Sequence, residues 1–305
     1  MNKPDISVIL PTFNRGDVIN HAIDSILNQT FRDLELIIIN DASTDNTKQT
    51  LDAYQKKDSR ITVINNKQNY GCAQSRNIGL KHTKAHTVAF MDDDDQYTDN
   101  ETLKCLHNQI KYKDADIAVG DYEVNGELRN MKKFGKNFNY HIVRGPGPFL
   151  QCVLMKKCLF EKIDSPFDSK ATPSEDWDFF ITISQLNPIV TYCACNCFNW
   201  QLNQNSQSIN FLKEAIALAY ICDKYYQYMI KTVGKKIMSN HYRRIARVYE
   251  KTDSVNQINE FYKKAFIQYP YSIKNIFYIM MVMIGYSNTK SLISLIRKLR
   301  GVLSA

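Results

Sequence analysis

Asp92-Asp93-Asp94-Asp95 sets four carboxylates in consecutive positions, directly after the β-branched and apolar run Thr87-Val88-Ala89-Phe90-Met91. A run of that kind reads as a buried strand. Carboxylates crowded at its end repel one another and are costly to bury unpaired. A divalent cation removes that cost and offers a site to phosphate oxygens; a solvated acidic turn is the alternative. Cys193, Cys195 and Cys197 form a second chemical pattern, because alternate residues of a strand share one sheet face. They read as buried free thiols, or as a metal site that lacks a fourth ligand. The six histidines show no ligand spacing.

The elements that must position these groups alternate. Asp5-Ile6-Ser7-Val8-Ile9-Leu10 reads as a strand ending in Pro11-Thr12-Phe13-Asn14-Arg15, and Val18, Ala22 and Ile26, with Ile19, Ile23 and Leu27 beside them, give a helix period. Leu34-Glu35-Leu36-Ile37-Ile38-Ile39 is apolar almost without a break, as in a sheet covered on both faces. It ends in Asn40-Asp41-Ala42-Ser43-Thr44-Asp45, which can cap the helix carrying Leu51 and Tyr54. Arg60 to Ile64 is a third strand, Asn69-Tyr70-Gly71 turns into a helix bearing Arg76, Asn77 and Gly79, and Thr87 to Met91 is the fourth strand. Thr98 and Glu101 pattern as a capping box for the helix with Leu103, Leu106 and Ile110. Strands alternating with helices imply a doubly wound parallel sheet. In such a sheet Asp41 and the Asp92–Asp95 cluster converge on one crevice beyond the strand ends. Taken singly, Asp41 is an ordinary helix cap and Arg76 a surface ion-pair residue.

Four segments in order, Ser7 to Asn14, Asn40 to Asp45, Arg76-Asn77-Ile78-Gly79 and Phe90 to Asp95, resemble the inverting family 2 glycosyltransferases of GT-A fold. The resemblance spans about residues 4–208. It implies an α/β fold with a doubly wound, mostly parallel sheet flanked by helices, followed by a C-terminal helical extension. It implies that Asp41 bonds the uracil of a UDP-sugar, and that Pro11, Thr12 and Asn14 line the nucleoside pocket. Arg76 would reach the phosphates or the sugar. Asp92 and Asp94 match the DxD positions that hold Mn²⁺ or Mg²⁺, Asp94 being the direct ligand; Asp93 and Asp95 join the nucleotide-sugar site, with Asp95 on the sugar hydroxyls.

Further along, Pro166-Phe167-Asp168 and then Ser174-Glu175-Asp176-Trp177-Asp178-Phe179-Phe180 resemble the acidic pair before the aromatic helix of that family. The match makes Asp176 the general base and Glu175 its supporting neighbour. A helix-terminal acid without chemistry is the alternative. Phe198 to Ser208 departs from the family's pattern: Gln201 stands where Arg is usual and Asn203 where His is usual. Leu128 to Tyr140, with Lys132, Lys133 and Lys136, reads as a mobile loop near the acceptor. Gly145-Pro146-Gly147-Pro148 reads as a tight turn, either a bend into the acceptor site or simple punctuation.

The chain has 305 residues and a net charge of +8. Residues 1–98 read as the nucleotide-sugar half and 99–210 as the acceptor half. Residues 211–305 read as a basic helical region, with 16 Lys+Arg against 5 Asp+Glu, where the first 210 residues carry 23 against 26. Such a tail suits an anionic surface, and no nucleic-acid module accompanies it. Ile276 to Ile284 is apolar all round yet too short to span a bilayer, so it is either a buried helix or an interfacial segment. Leu292, Leu295, Ile296, Leu299 and Leu303 share a face opposite Lys290, Arg297 and Lys298, which fits an anionic membrane or packing within the tail or onto a second subunit. No signal peptide is expected, and free thiols fit a reducing compartment. Together with the resemblance, which implies a glycan or lipid-linked acceptor, these features predict a cytoplasmic enzyme, peripheral at the inner face of the membrane. The rivals are a catalytically silent glycan-binding subunit and a sugar nucleotidyltransferase. The latter needs a Gly-rich loop where Pro11 to Arg15 stands.

Overall fold

Ile6–Thr12 (β1) and Leu34–Asn40 (β2) are buried at every position, as their unbroken apolar runs require. They pair in parallel, Ile9 opposite Ile37, with Ile61–Asn65 (β3) on the outer side of β2 and Thr87–Phe90 (β4) on the other side of β1. Ile19–Leu27 (α1), Thr47–Lys57 (α2) and Cys72–His82 (α3) make the crossovers. α1 buries Ile19, Ala22, Ile23 and Ile26 against Ile6, Val8 and Leu10. Each of its larger apolar side chains contributes roughly 1.5–3 kcal/mol of burial. The order β3-β2-β1-β4 reverses direction between β1 and β4. A ligand crevice is expected beyond that reversal.

The computed structural model describes residues 3–200, 210–252 and 254–286, and it divides into two units, residues 1–204 and 205–305. In the first unit the sheet continues through Val153–Lys156 (β7), antiparallel to β4, to Ile117–Val124 (β5), which pairs in parallel with Val190–Trp200 (β8). Glu127–Arg129 (β6) is a hairpin partner of β5 through Asn125 and Gly126, both at positive φ. Thr102–Lys113 (α4), Phe138–Arg144 (α5) and Glu175–Ser184 (α6) complete the layer set.

Two sequence expectations need correction, and the cysteine pattern resolves to its free-thiol reading. Thr98 and Glu101 form no capping box: Thr98 bonds the carbonyls of Asn196 and Cys197, while Gln29 Oε1 accepts the Leu103 amide. Residues 128–140 are not a bare loop. Met131, Phe134 and Phe138 are buried, and Asp121 accepts the Met131 amide at 2.7 Å. Cys193 and Cys197 are buried and Cys195 is half-buried, all as free thiols, and no metal-holding group of His, Cys, Asp or Glu occurs among the described residues.

The second unit comprises Phe211–Lys224 (α7), Tyr226–Tyr249 (α8, broken at Gly234 with φ 76°), Val255–Gln268 (α9) and Ile273–Ile284 (α10). Leu218, Cys222, Ile245, Phe261 and Tyr262 are buried within it. Asn275 is buried and donates to Ser239 Oγ and to the carbonyls of Ala265 and Tyr269. α10 is buried on one side only: Asn275 and Met281 are buried and Tyr278 stacks on Tyr262, while Ile273, Ile276, Met280, Met283 and Ile284 are exposed. No helix among the described residues is long and apolar enough to cross a membrane. The pattern at Leu292 to Leu303 lies outside the described residues, as do Gln201 and Asn203.

Candidate active site

The ends of β1, β2 and β4 meet in one place. The Asp41 amide bonds the Thr12 carbonyl at 2.8 Å, and the Phe13 amide reaches Asp93 Oδ2 at 3.3 Å. Pro11 and Thr12 are buried in β1. Asn14 turns the chain at φ 53°, a region Asn tolerates, and its Oδ1 accepts the Thr44 amide. Asp41 is 3% exposed and does not cap α2. Its oxygens accept from Asn66 Nδ2 and from the amides of Tyr70 and Gly71, all within 2.9 Å, so it fixes the loop that enters α3. Asp45, just before the N-cap Asn46, accepts the Thr47 amide at 3.0 Å instead.

α3 shows why Arg-Asn-x-Gly is needed. Gly79 lies so close to β1 that an added Cβ would stand 2.5 Å from Ile9 Cγ2. Asn77 clasps Phe167 through both backbone groups and bonds Ser165 Oγ, tying the helix to the segment before α6. Arg76 is 3% exposed, so it is no surface ion-pair residue. Its guanidinium bonds Asp92 Oδ1 at 2.7 Å, Asp176 Oδ1 at 3.0 Å and Glu175 Oε1 at 3.3 Å. It also lies 5.4 Å over the Phe167 ring. One planar, permanently charged fork therefore joins the acidic run after β4 to the acidic first turn of α6.

Sequence reasoning left Gln151 and Arg15 unassigned. Gln151 follows the Gly-Pro turn and donates to Asp92 Oδ2 at 2.9 Å and Asp95 Oδ2 at 2.6 Å. No motif marks it. Arg15, at the mouth, lies 3.5 Å from both Asp93 and Asp94. Its place in the segment after β1 was the available signal. Burial pushes Asp93 up to about 7 and Asp95 to about 8, with the neighbouring aspartates adding to both. Asp94 is raised by burial and then by Asp92, and Arg15 opposes this. Asp176 is pushed up to about 7 by burial, against the pull of Arg76.

The donor set fits a hard divalent cation: all-carboxylate oxygen, with negative charge that the protein's own cations leave partly uncompensated. Both Asp92 oxygens already accept from Arg76 and Gln151, so Asp94 is the freer ligand. Among the described residues no three acids converge as a closed cage. Mg²⁺-type sites commonly take one or two carboxylates and draw the rest from substrate phosphate. Thus the structure gathers Arg76, Asp92, Asp93, Asp94, Asp95, Glu175 and Asp176 into one site, with Asp41 and Asn14 at the adjoining strand ends.

The sequence profile described as Glycosyl transferase family 2 matches residues 7–163. Glycosyltransferase GlyG of Streptococcus pneumoniae is 34% identical over 117 residues, 38% of this chain and 38% of that protein. The chain thus spans less than half the length of that relative. UDP-Glc:alpha-D-GlcNAc-diphosphoundecaprenol beta-1,3-glucosyltransferase WfgD of Escherichia coli is 29% identical over 213 residues, 68% of this chain and 81% of that protein. The crystal structure of S. aureus TarS 1-349 in complex with UDP-GlcNAc superposes with a TM-score of 0.67 at 18% identity, over 87% of this chain and 81% of that one. That last likeness is one of fold.

Proposed function

The chain belongs to glycosyl transferase family 2, and from that premise we propose that it is a metal-dependent inverting glycosyltransferase. It moves a hexosyl or N-acetylhexosaminyl group from a UDP-sugar to a hydroxyl of a glycan acceptor in surface polysaccharide or glycolipid synthesis. The observation that carries this reading is Arg76, which holds Asp92 and the Glu175–Asp176 pair on one guanidinium. Donor-side and acceptor-side acids are thereby fixed within a side chain's reach of one another. The name of WfgD, with its UDP-Glc donor and its diphosphoundecaprenol acceptor, supports a UDP-sugar and a lipid-linked acceptor.

Asp176 is 37% exposed at its side chain, so it opens on the crevice while Arg76 orients one oxygen. It takes the acceptor hydroxyl proton as that oxygen attacks the anomeric carbon. Glu175, mostly buried, shares the guanidinium and keeps α6 in register with α3. Asp41, Asn14 and Thr12 bound the nucleoside side, where Phe13 is an exposed aromatic surface for the base. Mn²⁺ or Mg²⁺ would be held by Asp94 with Asp92 behind it, and supplies charge stabilisation at the departing diphosphate. Pro11 to Arg15 forms no Gly-rich phosphate cradle, which disfavours a nucleotidyltransferase. A lipid-linked acceptor places the enzyme at a membrane surface, and the exposed apolar face of α10 suits peripheral attachment at the inner face.

The test is UDP release from a panel of UDP-sugars with a soluble glycan acceptor, with Mn²⁺ and with excess EDTA. The anomeric configuration of the product is read by NMR. Metal-dependent release with inverted configuration is expected. Full turnover in EDTA would overturn the metal, and UDP binding without any transfer would favour a silent subunit.

A further inference from the structure

We infer that Gln151 is a positioning residue for the donor sugar, acting through Asp95. The inference rests on the donor reading above and on the resemblance that sets Asp95 on the sugar hydroxyls. Gln151 is 3% exposed, and its single amide nitrogen bridges two carboxylates, Asp92 at 2.9 Å and Asp95 at 2.6 Å. A primary amide is suited to this because it offers two hydrogens and no charge. A flipped amide would set its oxygen against the Asp92 carboxylate, so the orientation follows from the network. Its Oε1 is buried without a partner, a cost an apolar side chain of that length would avoid. The residue is therefore in place for its amide hydrogens rather than for filling space.

The two acids depend on it unequally. Asp92 is held independently by Arg76 at 2.7 Å. Among the described residues, Gln151 is the one side chain that donates to Asp95. Its backbone is firmly seated, with Leu150 and Cys152 buried on either side and Phe149 packed on Tyr122 and Phe198. An added Cβ on Gly147, just before it, would stand 2.7 Å from Phe180 of α6. The turn that leads to Gln151 thus packs closely on the helix that carries Asp176. Nothing bonds Gln151 to Asp41, Asn14 or Thr12. Loss of the amide therefore unlocks Asp95 and leaves the nucleoside side untouched.

The experiment measures UDP and UDP-sugar binding to the full chain by calorimetry with Mn²⁺ present, using the preferred donor of the panel. Gln151→Met keeps volume and removes the donors; Gln151→Glu keeps length and reverses the interaction. Both are expected to hold UDP within about twofold and to lose about 10- to 100-fold in UDP-sugar affinity. On an Asp95→Asn background, Gln151→Met should add little further loss. UDP-sugar affinity retained in both variants overturns the inference. Equal loss of UDP and UDP-sugar, with a lowered Tm, overturns it in favour of a structural role. Wild-type protein that binds neither ligand overturns the donor reading itself.

Discussion

Asp176 faces two opposing influences: burial drives a proton on, and Arg76 at 3.0 Å drives it off. Desolvation among the neighbouring acids prevails and raises the group from the usual carboxylate range towards neutrality. A base works only without its proton, so kcat is expected to climb as pH rises through about 7 and then level off. General-base catalysis is worth roughly 10²–10⁴-fold. Asp176→Asn should therefore lose turnover by about that factor, abolish the rise near pH 7 and leave UDP-sugar affinity nearly unchanged. Near-native turnover would put the base elsewhere, with Glu175 and Asp178 the next to substitute. The acids themselves were legible in the sequence because four consecutive carboxylates after an apolar strand have few structural uses. Arg76 was marked in the sequence only as a candidate, and its pairing with its three partners was not marked at all: two of them lie about a hundred positions away, and only the fold brings them together. Gln151 left no trace, since a lone Gln has no diagnostic spacing.

At the scale of elements, legibility followed periodicity. β1 and β2 were readable because strands covered on both faces need unbroken apolar runs. The start of α4 was misread because its orphan amide is satisfied from afar, by Gln29 on the Leu103 amide, while Thr98 is drawn to the carbonyls of β8. Residues 128–140 were misread because Met131, Phe134 and Phe138 are interleaved with lysines, which hides an anchoring set. The α3–β1 contact is the element-scale feature most exposed to test. A methyl at Gly79 would meet Ile9 Cγ2 at 2.5 Å, and Ile9 is fully buried in the strand that ends at the site. Overpacking a filled interior costs about 1–3 kcal/mol. Gly79→Ala should lower Tm correspondingly and weaken UDP binding, because Arg76 rides on the same helix. Unchanged Tm would mean that α3 can retreat from β1 without loss.

The molecule as a whole combines a slightly acidic unit that carries the site with a strongly basic one that does not. The basic unit ends, among the described residues, in a helix whose Ile273, Ile276, Met280 and Met283 are 42–85% exposed. Spacings of three and four put them on one face. An apolar face alone gives weak attachment, but each Lys or Arg near an anionic bilayer adds about 1 kcal/mol at low ionic strength, and Lys274 stands on the same helix. Replacing Ile276, Met280 and Met283 by Glu removes the apolar face and adds repulsion from anionic lipid. The variant is expected to stop cosedimenting with phosphatidylserine-containing vesicles while its metal-dependent UDP release on a soluble acceptor stays at the wild-type level. Raising salt should weaken wild-type attachment in the same assay, because the electrostatic share is screened. Vesicle binding equal in wild type and variant would rule out α10 as the contact. A wild-type dimer that the variant dissolves to monomer, with no vesicle binding in either, would assign the face to a second copy of the chain instead.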